Sequence, residues 1–213
     1  MKPRLLLFVL LALLPLAACA SPANPVEGQD YEVIPNGQPF APLTGGNKVE
    51  VVEVFGYVCI HCARFEPQFA AWQKRQPATV RVTPVPAAFG GYWIPYAKAY
   101  YAALSMGVLR QSHAAVFKAL HDTHELPIQN ASDQEIAAFY ARFGADPDKF
   151  AATMDAPQVA AELDKARAFG MATGITGTPT LVVNGKYRIK LADPDGMLKV
   201  ADFLVQRELA ATR

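Results

Sequence analysis

Apolar and polar positions change their spacing several times along this chain, and each change marks an element. Leu5 to Leu16 is almost wholly apolar. Tyr31-Glu32-Val33-Ile34 predicts a short first strand, followed by a Pro/Gly-rich connection through Gly46. Val49 to Phe55 reads as a central strand covered on both sides, its Val51-Val52-Glu53-Val54-Phe55 run apolar apart from Glu53. Phe65, Phe69 and Trp72 then recur at helical spacing within Ile60 to Lys74. Pro67 should kink that helix, because it lacks an N–H and its ring crowds the preceding turn. Val80 to Val85 alternates as a third strand, and Pro84 marks its end or a sheet edge.

From Pro95 to Ala168 alanine is abundant and β-branched residues are scarce, which predicts helices. Tyr96 to Met106 and Gln111 to His121 supply two. Ser132 with Glu135 makes a capping box for a third, reaching Gly144. Asp146-Pro147 starts a fourth, and Pro157 a fifth that ends near Gly170. Strands return with Thr180 to Val183, an Asn184-Gly185 turn and Tyr187 to Leu191, a hairpin signature. Asp193-Pro194 opens a last helix through Ala211. This order predicts one α/β domain over residues 31–213, interrupted by a helical insertion at roughly 92–170.

Composition sets the setting. The chain has 213 residues, 52% of them hydrophobic and 18% charged, enough to bury a core without a disulfide framework. Residues 1–20 read as an export signal: Lys2 and Arg4 precede the apolar run, and Ala17, Ala18, Cys19 and Ala20 follow it. The run is too short for a spanning helix. Ala18-Cys19-Ala20 fits ordinary signal cleavage, while Leu16-Ala17-Ala18-Cys19 equally resembles a lipobox in which Cys19 is acylated. Residues 21–30 would then be a flexible tether. Export places the protein in an oxidising compartment, expected to be the periplasm, with membrane contact only through a lipidated Cys19. Removing Lys2 and Arg4 from 20 basic residues leaves 18 against 19 acidic ones, net −1. No basic patch argues for nucleic acid.

Within this frame one motif carries chemistry. Cys59-Ile60-His61-Cys62 follows the central strand and opens a helix, which puts one thiol at the helix N-terminus and the second a turn inside. Such a pair suits thiol–disulfide exchange. Cys59 is the expected nucleophile, because exposed N–H groups and the helix dipole favour its thiolate. His61 can add a hydrogen bond or charge, and Cys62 is the expected resolving thiol. Three other readings stand beside this one. A c-type haem site needs histidine where Ala63 lies. A zinc site needs two more ligands, with His121 and His124 available. A purely structural disulfide would close so short a loop that it removes little chain entropy. The remaining histidines, His113, His121 and His124, are expected on solvated helix faces, and Trp93, Tyr96, Tyr100 and Tyr101 in packing. Glu53 is either a buried acid that manages a proton as Cys62 is uncovered, or an acid at an accessible strand end. Gly177-Thr178-Pro179-Thr180, just ahead of the hairpin, can use a cis bond to expose backbone to an extended substrate.

Taken together, Glu53 through Cys62, Thr178-Pro179 and Phe89-Gly90-Gly91 resemble the thioredoxin superfamily, and within it the DsbA-type disulfide oxidoreductases. The resemblance runs from Tyr31 to the C-terminal helix. It implies a thioredoxin-like α/β fold with an inserted helical subdomain, and catalytic Cys59, His61, Cys62 and Glu53, with Thr178 and Pro179 binding substrate. It also implies unfolded exported proteins as substrates, a DsbB-like membrane reoxidant, and no cofactor beyond the Cys59–Cys62 disulfide. A reductase or isomerase of the same fold, or a metal-binding module, are the rivals. The lack of a long extra N-terminal dimerisation domain counts against the isomerase branch, and a monomer is expected. Two departures stand out: Ile60 occupies a position where the best-known members have proline, and the third strand offers Arg81 or Val82 where some members place lysine opposite the buried acid.

Overall fold

A computed structural model describes residues 24–212. Expectations about the segment before residue 24, Cys19 included, lie outside the described residues. Five strands form one mixed sheet in the order β1-β5-β4-β2-β3. They are β1 (Tyr31–Val33), β2 (Val49–Phe55), β3 (Val80–Pro86), β4 (Thr180–Val183) and β5 (Tyr187–Ile189). β2 and β3 run parallel, joined by α1 (Ile60–Arg75), while β4 lies antiparallel on the other side of β2. Every residue of β2 is buried, Glu50 and Glu53 included, which places it at the centre of the sheet.

Helices cover both faces. α1 and α7 (Pro194–Ala211) pack on one side, where Val49 and Val51 meet Phe65, Phe69, Trp72, Met197 and Leu204. The Trp72 indole N–H donates to Asp202 at 2.7 Å, tying the two helices together. Val52, Val54 and Phe55 belong to the core on the other side, which also holds α2 (Trp93–Ser105), α3 (Leu109–His121), α4 (Asp133–Tyr140), α5 (Pro147–Met154) and α6 (Pro157–Ala172). Burying each such aliphatic or aromatic side chain contributes about 1.5–3 kcal/mol, so the helical layer is part of the main core.

Local signals act where the sequence places them. Ser132 and Glu135 form the reciprocal capping box of α4, and Asp146 and Asp193 cap α5 and α7. Asn184 and Gly185 take positive φ values of 51° and 66°, and Lys186 N–H donates to Val183 at 2.9 Å, closing the hairpin turn. α1 continues through Pro67, whose missing N–H leaves the Ala63 carbonyl without its helical donor. β3 is an edge strand containing Pro84 and Pro86, and the Tyr100 hydroxyl donates to the Pro84 carbonyl at 2.9 Å.

Two expectations change. The tether does not extend to residue 30. Asp30 N–H donates to Val26 at 2.8 Å, Gly28 N–H to Tyr31 at 2.7 Å, and Lys190 bonds both Asp30 and Gly28. Nor does Arg81 face Glu53. Pro84 stands opposite Glu53 in the β2–β3 register, while Arg81 forms a 2.9 Å ion pair with Glu50. Glu50 is fully buried on the other face of β2 and also accepts from Thr83 and the Phe40 N–H, each at 2.7 Å.

Candidate redox site

The site forms where β2 ends. Gly56, Tyr57 and Val58 carry the chain from the strand to Cys59, the N-cap of α1. Gly56 is required for steric reasons: a Cβ there would lie 2.1 Å from the Trp93 ring, which packs on this backbone from α2. Cys59 is partly exposed, whereas Cys62, one turn inside α1, is completely buried. The pairing of β4 with β2 sets Thr180 beside Val54, and this brings the preceding Thr178 and Pro179 to the thiols. The Thr178–Pro179 bond is cis. Cys59 Sγ–H donates to the Thr178 carbonyl at 3.4 Å.

Environment drives the two thiols apart. A hydrogen bond from Cys62 is the largest influence on Cys59. With the Thr178 side chain and the N–H groups of Cys62 and His61, it outweighs burial and lowers the Cys59 pKa to about 5. Burial pushes Cys62 far above an ordinary thiol, reinforced by its bond to Cys59 and by the negative charges of Cys59 and Glu53. One sulfur is therefore a ready thiolate and leaving group, and the other holds its proton until it is exposed or deprotonated.

Of the residues read from sequence, Cys59, Cys62, Thr178 and Pro179 converge here. Glu53 is 1% exposed, so it is the buried acid and not an accessible one. Its carboxyl makes no hydrogen bond to another described residue, and burial, then Glu66, then Cys59 hold it well above the ordinary carboxylate range. His61 is exposed. Its backbone N–H, not its ring, supports the Cys59 thiolate, while the ring lines a groove with Arg64, Phe65, Pro179 and Met197.

His113 and His121 do not lie on solvated faces. Both turn inward from α3. His113 Nδ1 stands 2.7 Å from the Tyr57 hydroxyl, and His121 Nε2 stands 2.7 Å from the Tyr57 carbonyl. Of these three histidines His124 alone is exposed. Tyr57 and Glu66 escaped the sequence reading, although Glu66 lies four residues past Cys62 on the same helix face. Among the described residues, no three His, Cys, Asp or Glu side chains cluster as metal ligands.

A half-exposed dithiol at the N-terminus of the helix after a central strand, facing a cis-proline turn, defines a thioredoxin-fold thiol:disulfide oxidoreductase with a helical layer added. Comparison with known proteins narrows the class. Residues 95–205, more than half of the chain, match the DSBA-like thioredoxin domain. Thiol:disulfide interchange protein DsbA of Pseudomonas aeruginosa is 37% identical over 98% of both chains. The Azotobacter vinelandii DsbA is 38% identical over 92% of this chain and 90% of that protein. The crystal structure of DsbA from Xylella fastidiosa superposes with a TM-score of 0.85 at 49% identity, covering 88% of this chain and 100% of that one. The chain belongs to the DsbA family.

Proposed function

We propose that this protein is a periplasmic oxidant that donates its Cys59–Cys62 disulfide to newly exported polypeptides. The depressed Cys59 pKa of about 5 carries the reading. A stabilised thiolate stabilises the reduced protein, and a stable reduced form makes the disulfide a strong electron acceptor.

The steps balance as follows. A substrate thiolate attacks Cys59 Sγ, the Cys59–Cys62 bond breaks, and a mixed disulfide forms. Cys62 leaves as a thiolate and takes a proton, for which Glu53 beneath it is the nearby acid. A second substrate thiolate then attacks the substrate sulfur, a substrate disulfide forms, and Cys59 leaves as its thiolate. Two electrons have passed from two substrate thiols to this protein, and the second thiol proton goes to solvent. Extended substrate lies in the groove beside His61, Phe65, Pro179 and Met197, reaching the backbone of Thr178. A DsbB-like membrane quinone reductase takes the two electrons back. The signal at residues 1–20 provides export, and acylated Cys19 would hold the protein at a membrane surface.

The redox equilibrium with glutathione tests the direction of flow. A potential well above that of thioredoxin is expected; one near thioredoxin's about −270 mV would overturn the proposal.

A further inference from the structure

The reaction steps leave one buried charge beside the thiols unused. Glu66 sits one turn past Cys62 on α1 with 15% of its side chain exposed. Its Oε2 lies 3.6 Å from Nε2 of His113, whose own side chain is 16% exposed. The other ring nitrogen meets the Tyr57 hydroxyl, two residues ahead of Cys59. His113 therefore joins the segment before the motif to the helix after it, from a third element in the helical layer. Phe55 and Phe117 pack edge-on against its ring, with centroids at 5.2 and 5.3 Å.

This bridge works with the ring neutral or charged. The Tyr57 hydroxyl, kept neutral by burial, donates to a bare Nδ1 and accepts from a protonated one. Nε2–H faces the carboxylate in either state. The titratable groups that meet the ring are Tyr57, Glu66 from α1 and Tyr100 from α2; behind them, Glu53 stands by Glu66 and Tyr140 from α4 stands by Tyr57. Glu66 and the Cys59 thiolate are two anionic groups near Glu53, and their charges, after burial, hold the Glu53 proton in place. Among the described residues, His113 is the one basic side chain within ion-pair distance of Glu66. The disulfide form carries no thiolate, so a cation here favours the reduced state selectively.

We propose that His113 is a positioning residue which, as counter-charge to Glu66, strengthens the pull of the Cys59–Cys62 disulfide on electrons. The benefit in that direction rests on the oxidant reading above, but the coupling itself is measurable whichever way electrons flow.

The test compares the parent, His113→Gln, Glu66→Gln and the double variant. Each is checked for folding by the thermal melt of its oxidised form. The readouts are the glutathione equilibrium constant and the pH midpoint of Cys59 thiolate absorbance, scanned from about pH 3 to 8 around the parent value of about 5. H113Q should make the disulfide about three- to tenfold harder to reduce and raise the thiolate midpoint. E66Q alone should shift both quantities in the opposite direction, and H113Q should lose most of its effect in the E66Q background. A folded H113Q that matches the parent overturns the proposal. So does an unchanged E66Q, or an H113Q effect of full size in the double variant. A reducing potential in the parent would defeat the oxidant reading while leaving these differences interpretable.

Discussion

The Cys59 sulfur stands 3.4 Å from the Thr178 carbonyl oxygen, although the two residues are 119 positions apart. That contact depends on the register of β4 against β2, in which Thr180 faces Val54. The redox centre is thus assembled by the sheet as much as by the CxxC motif. A motif copied onto another strand–helix junction would lack half of its surroundings.

The roles of the two thiols are separable by trapping. Cys62→Ser, first converted to its Cys59–glutathione disulfide, should exchange glutathione for a reduced, unfolded substrate and accumulate mixed disulfides through Cys59 on non-reducing gels. Cys59→Ser, which leaves only the buried thiol, should trap far fewer. Equal trapping by the two variants would contradict the assignment.

The Cys59 shift also predicts a pH dependence of stability. The folded pKa of about 5 lies below the ordinary thiol value of 9.0. The stabilisation of the reduced protein is therefore full above pH 9.0 and is lost as pH falls through 5. Melting temperatures of the reduced and oxidised forms should show the reduced form losing ground relative to the oxidised one across that window. A constant difference from pH 9 to 4 would refute the thiolate assignment.

Glu53 has the opposite sign. Its folded pKa lies above the ordinary carboxyl value of 4.5, so the stability it contributes is present below 4.5 and is lost as pH rises through the folded value. Glu53→Gln should raise the melting temperature at pH 7–8 and leave it nearly unchanged below 4.5. Formation of the mixed disulfide, in which Cys62 leaves and takes a proton, should slow in the same variant, measured by single-turnover mixing.

Glu50 contrasts with Glu53. Both are buried in β2, but Glu50 is fully paired with Arg81, Thr83 and the Phe40 N–H. Arg81→Ala, which strands that carboxylate, should destabilise the protein by about 3–5 kcal/mol in chemical denaturation. The potential with glutathione should stay at the parent value.

What the sequence disclosed follows the range of each interaction. The CxxC placement, the Ser132–Glu135 box and the Asn184-Gly185 hairpin are written within a few residues, and each appears at its expected position. The proximity of Thr178-Pro179 to the thiols was legible only through family resemblance. The inward turn of His113 and His121 was missed because a polar side chain on an amphipathic helix reads as solvated by default. Yet His113, Phe117 and His121 recur every four residues, which places them on one face with a buried aromatic between them. Glu50 and Glu53 could not be told apart, since the partners of the Glu50 carboxylate come from other segments 10 to 33 positions away and those of Glu53 are absent among the described residues.

The edge strand β3 has a further consequence. Pro84 and Pro86 are alternate residues of that strand, while the Ala87 N–H next to them turns inward to Phe55 at 2.7 Å. The two prolines therefore stand where N–H groups would otherwise point out from the sheet, and Tyr100 already occupies the Pro84 carbonyl. At the other edge, β1 spans only three residues. A sheet closed in this way offers little template for strand addition. Unfolded chains can approach the thiols without being recruited into an intermolecular β-ladder.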